Sequence, residues 1–222
     1  MDWRAFEISL ALAFWTIVLL IPLATLIAHC LAWRRFLGRT LAEALVALPL
    51  VLPPTVLGYY FLQGFSAQSG LGAWYTQFTG RPLAFSFEGL LLASLIFNLP
   101  FAVQPIQRAF EAIPGSIREA AWVSGLSPWS AFWRIELPLA WPGFTSALAL
   151  TFAHTLGEFG VVLMVGGNIP GETRTAAIAI YDSVQAFDSV GAGRMSALLL
   201  VLSFVAITIV NMTTRRARRR HV

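Results

Sequence analysis

The chain has 222 residues, of which 57% are hydrophobic and only 12% charged, with a formal net charge of +4. Soluble domains carry about 25% charged residues, so this composition excludes a water-soluble globular domain and points to a chain built for lipid. All fifteen positive charges are arginine; without lysine there is no Walker A phosphate loop and no Schiff-base chemistry, so any ATP-driven work falls to a partner.

Five apolar stretches reach the length of about 20 residues that a helix needs to cross a bilayer. The first runs from about Ile8 to Ala32. It is too long and too poor in N-terminal charge for a signal peptide. Cys30, the single cysteine, lies near its end and offers no intramolecular disulfide or metal cluster. The others span Ala44 to Leu62, Gly89 to Ile106, Leu139 to Gly166 and Met195 to Met212. The expected fold is an all-α integral membrane protein of five transmembrane helices in one domain, 1–222. Ala176 to Phe187 reads as a short helix, and a sixth crossing there would reverse the parity.

Arginine placement orients the chain. Arg34, Arg35, Arg39, Arg108, Arg118 and Arg134 join five in the tail (Arg215, Arg216, Arg218, Arg219 and Arg220) on one side, eleven against four. The four are Arg4, Arg81, Arg174 and Arg194. By the positive-inside rule the C-terminus and the 107–138 loop are cytoplasmic and the N-terminus outside. The terminal arginine run follows an apolar span, so it reads as a membrane-flanking anchor and not as a nucleic-acid site. Prolines inside or beside the spans, among them Pro22, Pro53, Pro54, Pro100 and Pro142, break helices. Lipid tolerates such breaks where protein or water satisfies the freed carbonyls, as along a transport path.

The loop Ser116 to Pro138 is the most informative segment. Ser116 and Glu119 have capping-box spacing and predict a helix start. Gly125 supplies a left-handed end. Ser127 and Pro128 start a second helix that runs to Leu137-Pro138. A short capped helix with Ala120, Ala121, Trp122, Val123 and Leu126 suits a partner's groove. The same pattern, with Trp129 and Trp133, suits a helix lying on lipid headgroups. The residues alone leave both readings open.

The order Glu119-Ala120-Ala121, three residues, Gly125, nine residues, Ile135, one residue, Leu137-Pro138 resembles the EAA motif of bacterial ABC-importer permeases, met at every position. The resemblance implies the type I importer permease fold. It also implies that Glu119, Ala120, Ala121, Gly125 and Leu126 contact a separate ATPase chain, which uses ATP and magnesium; this chain binds no cofactor of its own. Leu52 to Tyr60 and Ala153 to Ser183 extend the likeness. Gly157-Glu158-Phe159-Gly160 is shared with sulfate-type relatives, while Gly166 to Thr175 looks like the molybdate branch.

In the fourth span Thr151, His154, Thr155 and Glu158 share one helix face. Ionisable groups at membrane depth are costly and face protein or water. Thr151, Thr155, Glu158 and Asn98 are therefore the candidates to line a path. A structural alternative stands beside each. Glu158 can bond His154 or pair with Arg174 or Arg194, and a threonine can bond its own helix's carbonyl. Gly166 to Gly171 reads as a turn-rich loop on the outer surface.

The reading that follows is a molybdate importer's membrane subunit in the bacterial cytoplasmic membrane, acting by alternating access. The resemblance implies a second permease copy, two ATPase subunits and an extracytoplasmic oxyanion-binding protein. Tungstate or sulfate is the alternative cargo. A multi-pass membrane enzyme or assembly anchor is the alternative class, with His154 and Glu158 as its acid/base or metal residues.

Overall fold

The computed structural model describes the backbone of residues 1–219, with side chains through 209 and at 212. The side chains of the terminal arginine run, and Arg220 altogether, lie outside the described residues. Every regular element among the described residues is helical.

Helix α1 (Trp3–Trp33) is capped by Asp2, whose side chain accepts from Ala5 N. Its 31 residues extend about 46 Å at 1.5 Å per residue, enough to cross the hydrocarbon core with some tilt. Then come α2 (Arg39–Val51), α3 (Pro54–Phe65) and α4 (Gly70–Thr79). Next, α5 (Phe87–Phe97) and α6 (Leu99–Glu111) form one continuous span, 87–111, longer than the predicted 89–106. The loop supplies α7 (Gly115–Val123) and α8 (Pro128–Ala131). A π-helical turn, Phe132–Glu136, follows. The chain ends with α9 (Leu137–Gly157), α10 (Gly160–Gly166), α11 (Ala176–Gln185) and α12 (Ser189–Arg219). The sequence-predicted short helix at Ala176 is α11; at ten residues it is too short to cross.

Two predicted spans are not straight. The second bends by 109° between α2 and α3, and the fourth by 60° between α9 and α10. Counting each bent pair once gives five candidate crossings among the described residues; three are unbroken, Trp3–Trp33, Phe87–Glu111 and Ser189–Ile209. The first bend follows from Pro53-Pro54. The residue before a proline is disfavoured in the helical region, and Leu52 and Pro53 are extended, with ψ of 135° and 140°. Pro54 then opens α3 as its first residue, where a missing N–H costs nothing. The second bend has no proline. Glu158 leaves the helix with ψ of 129° just after Gly157.

Helices α1, α6 and α9 pack as the central layer, with Leu20, Ile106, Phe110 and Phe144 at its core. In lipid the apolar effect does little to join helices, so close contact and buried hydrogen bonds must. Gly143 gives that contact: a β-carbon there would overlap Ala109 and lie 2.6 Å from Pro105 O. Thr16 and Ser94 share a buried hydrogen bond of 2.8 Å between α1 and α5. Ser9 Oγ accepts from Ala176 N at 2.8 Å, tying α11 to α1.

Candidate functional site

At one end of the bundle lies the short helix α7, a knob with one face packed on the body through Ile117 and Ala121 and the other exposed at Glu119, Ala120 and Val123. It starts one residue before Ser116, with Pro114 as its cap and no side-chain capping bond. The predicted Ser116–Glu119 capping box is therefore absent. Pro114, fixed at φ −57°, already begins the helix through Ile117 N→Pro114 O, and Ser116 falls inside it. The far end matches expectation. Gly125 has φ +80°; its N–H bonds Trp122 O at 3.0 Å and Leu126 N bonds Ala121 O at 3.1 Å, the paired bonds of a Schellman turn. Ser127 then caps α8, accepting from Ser130 N.

Glu119, Ala120 and Gly125 are exposed and Leu126 is half-buried. Val123 is 90% exposed, leaving an apolar side chain beside them. Ala121 is 4% exposed and packs inward. The second short helix also differs. It does not stop at Leu137-Pro138 but runs through the π turn straight into α9. Pro138 has no N–H to donate and follows directly on the widened turn.

Beneath the knob sits a buried carboxylate that the sequence reading passed over. Glu136 is 3% exposed. Its Oε1 accepts from Arg118 Nε and its Oε2 lies against His29 Nε2, both at 2.7 Å. The Arg118 guanidinium lies over Trp33 at 4.0 Å and near Trp122 at 5.1 Å. One carboxylate thus joins α7, the π turn and α1. The available signal was charge inside apolar sequence: His29 within α1 and Glu136 between Ile135 and Leu137 had to be paired to be tolerated.

The predicted path residues meet at the middle of the molecule. Asn98, at the joint of α5 and α6, donates through Nδ2 to Thr155 Oγ at 3.0 Å and to Ser94. Its Oδ1 lies 3.0 Å from His154 Nδ1; an amide oxygen only accepts, so that ring nitrogen donates. His154 stacks on Phe101 with 4.0 Å between ring centres. Thr155 donates to Thr151 O at 2.8 Å, and Thr151 Oγ is buried without a partner. Asn98 and Thr151 are 0% exposed and Thr155 3%. In this conformation Asn98 fastens α9 to the α5–α6 joint through Thr155 and His154, while the Thr151 hydroxyl stays buried and unpaired.

Glu158 sits at the bend. It accepts from Val161 N at 2.9 Å, placing negative charge at the start of α10 where the helix dipole favours it. His154 Nε2 is 4.0 Å away. The predicted pairing with Arg174 is not formed. Arg174 instead donates to Asn168 Oδ1 at 2.7 Å and lies near Asp2 and Asp182. Asn168, in the left-handed region at φ 58°, also donates to Asp182. This network pins the 166–171 loop to α11 and to the start of α1, at the end of the bundle opposite α7.

The family described as "Binding-protein-dependent transport system inner membrane component" matches residues 20–219. The chain belongs to that family. Among similar proteins, the molybdenum transport system permease protein ModB of Azotobacter vinelandii is 46% identical over 93% of this chain and 91% of its own length. ModB of Escherichia coli K12 is 33% identical over 99% and 96%. A probable sulfate transport system permease protein, cysT of Chlorella vulgaris, is 30% identical over 93% and 77%. A crystal structure of a bacterial ABC transporter involved in alginate import superimposes with a TM-score of 0.78 over 96% of this chain and 78% of that chain, at 19% identity. The MetNI methionine ABC transporter gives 0.71 over 97% and 94%, at 16% identity.

In this inner membrane component three polar clusters occupy three positions along the bundle. The α7 knob and its carboxylate lie at one end, the bent spans and the Asn98 joint in the middle, and the Arg174 loop at the other. The permease fold thus has two built-in bends, and α7 is tied to α1 and to the π turn that leads into α9.

Proposed function

We propose that the chain is the membrane-spanning permease subunit of an ATP-driven molybdate importer in the bacterial cytoplasmic membrane, with α7 docking on a separate ATPase. The observation that carries this reading is the α7 knob: exposed at Glu119 and Ala120, closed by a Schellman turn, and anchored by its own arginine to a buried carboxylate. A helix that only lay on headgroups would need no such anchor. The cargo follows from likeness to the molybdenum permeases over nine-tenths of the chain. Sulfate is the second reading, favoured by the sulfate permease at 30% identity.

Two copies would enclose the path, since one chain's five crossings offer little wall. Two ATPase subunits would sit below and an oxyanion-binding protein above. Closure of the ATPase pair around ATP and magnesium would push α7 and reorient the bundle from inward-open to outward-open. The C-terminus and α7 are then cytoplasmic, and the N-terminus lies outside. As helix packing shifts, Thr151, Thr155, Asn98 and Glu158 are the polar groups nearest the bends that could come to face the ion. The anion is best held by neutral donors there, so that binding stays weak enough for release.

The test is reconstitution with the ATPase and binding protein encoded beside it. Molybdate uptake that requires ATP and exceeds sulfate uptake is expected. Failure to retain an ATPase during purification would remove the importer reading, and equal or greater sulfate uptake would reassign the cargo.

A further inference from the structure

A carboxylate buried at 3% exposure is expensive unless each oxygen is met by a charged or polar donor. In Glu136 each oxygen has one partner, and the two partners come from different helices. Replacing such an arrangement with apolar side chains is often neutral or stabilising, so its presence needs a reason other than stability. Directional bonds fix register, whereas apolar contacts let helices slide. Arg118 adds a second tie through Trp33, at the end of α1.

We propose that Arg118, Glu136 and His29 form a rigid joint that makes α7 move as one body with α1 and the start of α9, so that a push on the docking helix reaches the spans without slippage. All three are positioning residues; none touches cargo or nucleotide. The inference rests on α7 being the ATPase-docking helix. It adds which crossings follow α7 directly and which groups transmit the motion. Helices α2, α3 and α10 have no bond to this joint and move relative to it.

The experiment uses the full complex in liposomes and reads three quantities: ATPase retained, basal ATP hydrolysis, and molybdate taken up per ATP hydrolysed. The variants are Glu136→Gln and the double change R118M/E136M, which removes both charges and leaves no buried ion unpaired. His29→Phe keeps the ring against Phe110 and Phe132, whose centres lie 5.3 and 5.5 Å away, while removing the bond to Glu136.

Retention and basal hydrolysis should stay near wild type in the double variant, while uptake per ATP falls about tenfold, the equivalent of one charge-assisted bond lost. His29→Phe should fall less, since Arg118 still holds Glu136. If E136Q fails to assemble, the double variant decides. A double variant that assembles and couples like wild type makes the cluster ordinary packing and overturns the joint alone. A wild-type chain that retains no ATPase overturns the docking reading and takes this inference with it.

Discussion

Gly160 lies directly against Pro54: a β-carbon on the glycine would sit 2.9 Å from the proline Cβ. Pro54 opens α3 just after the 109° bend and Gly160 opens α10 just after the 60° bend. The two broken spans therefore touch at their breaks. Gly58 continues the contact, with a would-be β-carbon 2.9 Å from Met164. Gly160→Leu should force the breaks apart and cost about 1–3 kcal/mol, the usual range for overpacking. A lower Tm of the purified chain and slower uptake are the expected readings. Wild-type values for both would mean that the breaks do not need to meet.

Asn98 is the hub of the central polar cluster, and its loss should be felt more than that of its partners. Asn98→Leu strands His154 and one threonine contact at a cost of about 1–3 kcal/mol. Thr155→Val should cost less than about 1 kcal/mol, because Ser94 still accepts from the Asn98 amide. Thermal unfolding in detergent gives the order. Equal losses would show that Thr155, not Asn98, holds the joint.

Gly125 and Gly115 bracket the docking helix and make a matched pair. A β-carbon at either meets nothing within 4 Å, but only Gly125 has positive φ, at +80°. Gly125→Ala should therefore cost about 1–2 kcal/mol of backbone strain, confined to the turn. ATPase retention should drop while the Tm of the spans holds. Gly115→Ala should leave both unchanged, and an equal effect from the two would point to side-chain crowding against the partner instead.

The orientation can be read with one engineered thiol. With Cys30 replaced by serine, Glu119→Cys should react with a membrane-impermeant maleimide in inside-out vesicles and stay unlabelled in intact cells. Glu119 is exposed on α7, so access is limited only by which side it faces. Labelling in intact cells would place the knob outside and end the coupling scheme.

The sequence by itself determined the class of molecule. Hydropathy is a sum over about 20 residues and does not depend on distant contacts, so the apolar stretches behind the candidate crossings were legible, as were the turn at Gly125 and the cap at Ser127. These signals are local. Pro53-Pro54 was legible as a break but its angle was not, because the direction a chain takes after a bend is set by what it packs on, here Gly160 and Met164. Ser116 misled for a related reason: Pro114, two residues earlier, had already started the helix.

Only the tertiary structure decided what the polar groups inside the spans do. Thr151 and Thr155 share one face of the fourth span and Asn98 lies in the third, yet Asn98, 57 residues from Thr155, bonds Thr155 and His154 across the two spans. Glu136 pairs with His29 across 107 residues and with Arg118 across 18. Pairing at such separation leaves no periodic trace in the chain. Composition says that a charge in lipid must be satisfied; which partner satisfies it is fixed only when the helices have packed.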